Sequence, residues 1–257
     1  MLSFELSIAT MSLQNGHLAP DTTLDSPAAA GMALQAQGLT LTYVTPRATT
    51  YAVREVTLSI NERDFAGIVG PSGSGKSSLL YLLAGLKTAT SGTVFLGDFD
   101  YSHASATERL DFRRQHFGFV FQQPFLVPYL NVLENVLVPI ENPDTTHKQR
   151  ALELLDRLGV VDLAPKFPNE CSGGERVRVA TARGIVHRPT YLFVDEPTAS
   201  LDTATGARVM KTLQSQCDHG ALIVVTHDLE ILDEADMVFR MRDGALVESF
   251  QPQRLTA

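Results

Sequence analysis

The chain has 257 residues, enough for one large domain or two small ones and for a sizeable buried core. Against 29 Asp and Glu stand 21 Lys and Arg, a net charge of −8 with no basic tract, which speaks against nucleic acid as a partner. With 44% hydrophobic and 19% charged residues the chain is neither disordered, collagenous nor coiled-coil in composition.

Residues 1–35 mix Ser, Thr, Ala, Pro and Asp without a sustained period and are expected to form a loose extension, with Met11 and Met32 as alternative starts. No Lys or Arg occurs between Met1 and Pro46, so neither a signal peptide nor an arginine-rich transit peptide is expected. No run approaches the roughly 18 apolar residues of a spanning helix. Cys171 and Cys217 are too few for a disulfide scaffold and lack metal-ligand spacing. Together these features predict a cytoplasmic protein in a reducing compartment.

From Gln37 onward short apolar runs alternate with helical periods, which predicts an α/β core on a mostly parallel sheet. The expected strands are Leu39–Tyr43, Val56–Ile60, Phe65–Val69, Thr93–Leu96, Phe117–Phe121, Tyr191–Val194, Leu222–Val225 and Met237–Met241. Between about 124 and 186 the helical periods Thr145–Leu158 and Arg176–Val186 stand without a convincing strand, which predicts a helical insertion.

Gly70-Pro71-Ser72-Gly73-Ser74-Gly75-Lys76-Ser77 matches G-x-x-x-x-G-K-[ST], placed between the apolar run Phe65–Val69 and the helix-like Ser77–Leu83. The glycines let backbone N–H groups converge on phosphate oxygens, and the following helix aims its positive end at the same anion. Lys76 is expected to reach the β- and γ-phosphates and Ser77 to ligate Mg²⁺. The run Thr190–Val194 ends in Asp195-Glu196 and is stopped by Pro197, 119 residues after Lys76. Successive strand side chains face opposite ways, so Asp195 can hold the metal while Glu196 orients or deprotonates water.

Ser172-Gly173-Gly174-Glu175 reads as a capping box ahead of the Arg176–Val186 helix. The box does not explain two glycines, each costing up to about 1 kcal/mol relative to alanine inside a helix. Bare backbone at a helix N-terminus suits a closely approaching anion, yet no lysine accompanies it. This predicts a half-site completed by a second surface that already carries the nucleotide.

Taken together over about residues 36–248, these motifs resemble the nucleotide-binding subunit of an ATP-binding-cassette (ABC) transporter. The resemblance implies a P-loop NTPase core with an added antiparallel β subdomain, ATP and Mg²⁺ as ligands, and a head-to-tail homodimer or pseudo-dimer holding two ATP. It extends nucleotide contact to Ser78 and gives Gln122 the role of a glutamine that touches Mg²⁺ or the attacking water. It makes His227, 32 residues after Asp195, a γ-phosphate contact, Asp202 a bridge across the dimer, and Tyr43 a stacking partner of adenine. Read from the residues alone, Gln122 and His227 are equally polar strand ends, Asp202 equally the N-cap of a Thr203–Gln216 helix, and Tyr43 equally a good strand former. Cys171 and Val177 depart from the leucine and glutamine common around this signature. An accessible Cys171 thiolate would make the site sensitive to thiol reagents.

Arg113–Gln122 with Pro128, Leu130 and Glu134-Asn135-Val136 resembles the lipoprotein-releasing and macrolide-export branch, and the tail Thr226–Asp236 with Met241–Gly244 the heterocyst glycolipid exporter subgroup. Ala199-Ser200-Leu201-Asp202 departs from the Gly-Asn-Leu-Asp of the lipoprotein-releasing members. The implied partners are an integral membrane permease, whose coupling helix would dock near Pro124–Pro139, and a periplasmic adaptor; read from the residues alone, most of Pro124–Pro139 is equally a helix packed within the insertion. The implied location is the cytoplasmic face of the inner membrane. A regulatory or mechanical membrane complex that moves no cargo, and a soluble ABC ATPase, remain alternatives.

Overall fold

A computed structural model describes residues 32–45 and 48–252, so the expected extension up to residue 31 and the tail beyond 252 lie outside the described residues. A hairpin of β1 (Leu34–Thr45) and β2 (Ala48–Ile60) is followed by β3 (Phe65–Val69) and α1 (Lys76–Leu83). Next come β4 (Ser91–Leu96), β5 (Phe99–Asp100), α2 (Ala106–His116) and β6 (Phe117–Val120). The stretch expected to be helical holds α3 (Val132–Leu137), α4 (Thr145–Arg157) and α5 (Gly173–Ile185), joined by loops and short 3₁₀ turns. The chain closes with β7 (Tyr191–Asp195), α6 (Thr203–Gln214), β8 (Ala221–Val225), β9 (Met237–Arg242) and β10 (Ala245–Phe250).

Two sheets result. The first is antiparallel, in the order β2-β1-β4-β5. The second has the order β10-β9-β3-β8-β7-β6 and is parallel except for its β10 edge. The parallel strands are apolar without interruption because both of their faces are covered. In β7 the period of two sends Leu192 and Val194 into the core shared with the helices, and Tyr191 and Phe193 into the core shared with α1 and the antiparallel sheet. The Tyr191 hydroxyl accepts from the Leu34 N–H at 3.0 Å and lies 2.6 Å from the Met32 carbonyl, so it ties β1 to the parallel sheet from a fully buried position.

Some boundaries differ from the sequence reading. β1 begins at Leu34 rather than near 39, inside the stretch expected to be a loose extension, because buried Leu34 and Ala36 alternate with exposed Gln35 and Gln37; β2 begins at Ala48 rather than Val56, because its first residues pair with β1 as exposed strand that carries no apolar run. β5, β10 and α2 have no counterpart among the expected elements. α2 buries no residue completely. Its start is set instead by a capping box, in which Ser105 Oγ accepts from the Glu108 N–H while Glu108 accepts from the Ser105 N–H. Phe112, on α2, then stacks on Phe99, with ring centroids 4.1 Å apart.

Candidate functional site

Ligands of parallel α/β sheets lie beyond the carboxyl ends of the strands. Here Gly70 follows β3, Thr226-His227 follows β8, Glu196 follows β7, and Gln122 lies two residues past β6. The pairing of Ile68 with Val225, Asp195 with Val225 and Val120 with Val194 brings all four ends to one edge.

The loop 70–75 turns tightly against its surroundings. At Gly75, with φ +98°, an added Cβ would collide with the Ala52 carbonyl, and at Gly70 with the Met241 carbonyl. Ser74 is buried and its hydroxyl has no hydrogen-bond partner, so within the loop it offers backbone rather than side chain. Lys76 Nζ donates to the carbonyls of Gly70 at 2.8 Å and Pro71 at 3.0 Å, which holds the ammonium over the loop.

Strand parity turns Asp195 toward α1, the same side as Tyr191 and Phe193. Asp195 is 2% exposed, and Ser77 Oγ donates to its Oδ1 at 3.1 Å. The Tyr81 hydroxyl donates to Oδ2 at 2.9 Å. Ser77 and Tyr81 are four residues apart on α1 and so share one helix face. Burial pushes the Asp195 carboxyl above its usual range, opposed by the hydrogen bonds from Tyr81 and Ser77. Tyr81 itself is pushed up to about 12, first by burial and then by the neighbouring Asp195 charge. The sequence reading missed Tyr81. Its signal was only the spacing from Ser77, which in an apolar helix reads as packing.

Glu196 leaves the strand with φ +49°, a left-handed backbone that non-glycine residues rarely adopt. Its N–H donates to the Val225 carbonyl at 2.9 Å, which fixes the turn. The turn aims its carboxylate away from Asp195's surroundings, with Oε2 at 2.9 Å from His227 Nδ1. Two adjacent acids thus occupy different environments, one buried against α1 and one beside an exposed imidazole. Gln122 is exposed at the same edge and has no hydrogen-bond partner among the described residues.

The Ser172–Glu175 segment caps α5 as expected. Ser172 Oγ accepts from the Glu175 N–H at 3.3 Å, and Glu175 accepts from the Ser172 N–H at 2.7 Å. These bonds hold the Glu175 carboxyl below its usual range. A Cβ on Gly174 would meet Leu201 at 3.1 Å, whereas one on Gly173 would meet nothing within 4 Å. Nothing among the described residues therefore demands glycine at 173. Among the described residues no hydrogen bond joins this segment to the loop 70–77.

Asp202 caps α6, its Oδ1 accepting from the Thr205 N–H at 3.0 Å. Tyr43 lies on β1 with its ring partly exposed, and its hydroxyl accepts from Lys87 Nζ at 2.6 Å. Cys171 is 6% exposed and burial raises its thiol, so the condition for reactivity toward thiol reagents is not met in the folded chain. A second residue missed in the sequence is Arg183 near the end of α5. It donates to the carbonyls of Pro124 and Phe125 at 2.7 and 2.8 Å, and so anchors the loop after Gln122 to the helix that carries Ser172–Glu175.

An oxygen-only pair, the Asp195 carboxylate beside the Ser77 hydroxyl, suits a hard cation such as Mg²⁺. Among the described residues no cluster of three or more His, Cys, Asp or Glu could hold a metal ion.

The family model described as ABC transporter matches residues 53–199. An uncharacterized ABC transporter ATP-binding protein of Methanocaldococcus jannaschii is 39% identical over 219 residues, 84% of this chain and 98% of that protein. The lipoprotein-releasing system ATP-binding protein LolD of Acinetobacter baylyi is 38% identical over 221 residues, 84% of this chain and 97% of its own. The macrolide export ATP-binding/permease protein MacB of Rhodopirellula baltica is 39% identical over 211 residues, which are 79% of this chain and 31% of that protein. The dimeric ATP-binding cassette MJ0796, solved in a post-hydrolysis state bound to ADP and Pi, superposes with a TM-score of 0.81 at 33% identity, covering 86% of this chain and 99% of the cassette. A second dimeric structure of that cassette gives 0.80. With its loop 70–77, its Asp195-Glu196 strand end and its Ser172–Glu175 cap set in this fold, the chain belongs to the ABC transporter family.

Proposed function

We propose that the chain is the ATP-binding and ATP-hydrolysing subunit of an ABC transporter, and that two copies close head to tail on two ATP to drive a membrane permease. The observation that carries this reading is the meeting of Ser77, Asp195, Glu196 and His227 at one sheet edge, while among the described residues Ser172–Glu175 has no hydrogen bond to that edge. A site split in this way is complete only when a second cassette supplies the missing half.

The loop amides and Lys76 hold the phosphates, and Lys76 exchanges its two carbonyl partners for phosphate oxygens. Ser77 and Asp195, with Gln122 at the same sheet edge, would hold Mg²⁺, which when bound would neutralise developing charge on the phosphoryl oxygens. Glu196 accepts the proton of the attacking water, and His227 fixes that carboxylate through the 2.9 Å contact. Ser172 and Gly174 of the opposing copy complete the cradle, Asp202 borders the dimer seam, and the ring of Tyr43 offers a face to adenine.

A groove of about 400 Å³ runs beside the loop after Gln122, walled by Phe119, Phe121, Phe125 and Val138. Phe125 is 65% exposed and Tyr129 78%, whereas Val132, Val136 and Leu137 of the same stretch are buried in the core. The groove touches both the Gln122 loop and Arg183, so a permease segment seated there pushes on α5. No helix among the described residues is long and apolar enough to cross a membrane, so membrane attachment falls to the permease. The similarity to LolD and MacB supports an exporter of lipid, lipoprotein or small hydrophobic cargo, with a periplasmic adaptor beyond the membrane. Cellular ATP places the subunit on the cytoplasmic face of the inner membrane.

Glu196→Gln tests the reading. Turnover falls by at least about 10²-fold, the scale of a general base, while nucleotide still binds and the dimer accumulates. Turnover near that of the parent protein removes Glu196 from the mechanism.

A further inference from the structure

A second cleft, of about 570 Å³, opens between the segment after α1, strand β4 and helix α2, its Lys87 rim bonded to the Tyr43 hydroxyl at 2.6 Å. Lys87, Arg109 and Arg113 line it, with the His103 ring beside them, and among the described residues no Asp or Glu does. On a chain of net charge −8 such a concentration of positive charge is a selective feature. The nearby acid Asp100 is engaged by His103, with Oδ2 at 2.8 Å from Nδ1.

The two arginines differ in commitment. Arg113 donates through Nη1 to the Gly85 carbonyl at 2.9 Å and to the Tyr101 hydroxyl at 3.1 Å, which locks its plane and leaves its other N–H groups without a partner among the described residues. Arg109 is half-buried, and its guanidinium has no hydrogen bond or ion pair among the described residues. Holding a partly desolvated guanidinium unpaired costs free energy that an anion in the cleft would return. Tyr101 stands between them, its hydroxyl donating to the Arg109 carbonyl at 3.2 Å.

We infer that this cleft binds the phosphate group of a small organic phosphate. Arg109 and Arg113 fork the phosphate, Lys87 lies at the rim, and the volume suits a ligand larger than inorganic phosphate alone. A glycerol-linked phosphate occurs free in solution as a monoester and in an anionic lipid headgroup as a diester; both present terminal phosphate oxygens to a guanidinium, and the experiment separates the two.

The test uses the full chain with saturating Mg²⁺ and ADP, so that the loop 70–77 cannot take up the probe. Glycerol 3-phosphate is titrated calorimetrically, and flotation is measured with phosphatidylglycerol and phosphatidylcholine vesicles, for the parent protein and for Arg109→Gln. Because the Arg109 side chain makes no bond within the described chain, its replacement leaves the fold intact, which the melting temperature and retained ADP binding check. Binding of the soluble probe that weakens at least tenfold in Arg109→Gln supports a free metabolite. Selective flotation with phosphatidylglycerol that is lost in the same variant supports a lipid headgroup. Failure of both probes to bind more tightly than about 10 mM, or equal binding by the variant, overturns the inference.

Discussion

Gly173→Asp separates what the fold needs from what the dimer needs. Position 173 is the first residue of α5, and a Cβ there meets nothing within 4 Å, so the side chain enters open space. Replacing glycine at a helix start recovers a few tenths of a kcal/mol of propensity, and a carboxylate in the first turn adds about 0.3–1 kcal/mol through the helix dipole. The isolated subunit is therefore expected to keep its stability or gain about 0.5–1 kcal/mol, a rise of about 1–4 °C in Tm for a domain of this size. The dimer is affected in the opposite sense. A carboxylate about 4 Å from a phosphate oxygen costs about 4 kcal/mol per unit charge at an effective dielectric of 20, close to a thousandfold in affinity. Differential scanning fluorimetry, steady-state ATPase assays and size exclusion in the Glu196→Gln background read the three quantities. Hydrolysis by Gly173→Asp within threefold of the parent rate, with an unchanged Tm, refutes the split site, because nothing anionic then approaches α5.

The remaining expectations concern Asp195 and pH. Tyr81→Phe removes one of the two side-chain donors to a carboxylate that is 2% exposed. The unfolding free energy in urea is expected to fall by about 1.5–3 kcal/mol, the worth of a hydrogen bond to a charged group, and an unchanged midpoint would mean that the hydroxyl does not hold Asp195. Burial lowers the pKa of His116, His187 and His219 in the folded chain. A depressed folded value means that their contribution is intact above the unfolded value of about 6.5 and is lost as pH falls below it. Asp195, whose carboxyl is raised, works in the opposite sense as it protonates. Melting temperature measured from pH 7.5 downward should fall below about 6.5, and His187→Gln, which keeps an N–H donor for the Phe117 carbonyl, should flatten the slope by up to about 1.4 kcal/mol per pH unit. An identical slope in the variant removes His187 from the account.

What could be read before folding was whatever depends on neighbours in sequence. The loop 70–77 is legible because its chemistry needs consecutive backbone amides, and Asp195-Glu196 because a strand end fixes two opposite directions for adjacent side chains. β3, β7 and β8 are legible because burial on both faces requires an unbroken apolar run. β5, β10 and α2 carry no such mark. They lie at edges and surfaces, where half-exposed positions tolerate mixed residues, and α2 is set by its cap and by the stacking of Phe112 on Phe99.

Only the tertiary structure decided that Tyr81 meets Asp195, 114 residues away, and that Arg183 reaches back 59 residues to the Pro124 carbonyl. It also decided that Cys171 is buried and that Lys87, Arg109 and Arg113 share one cleft. Local periodicity gives a side chain's direction within its own element. Which atom lies opposite is set by the register of strands distant in sequence, and no spacing along the chain encodes that.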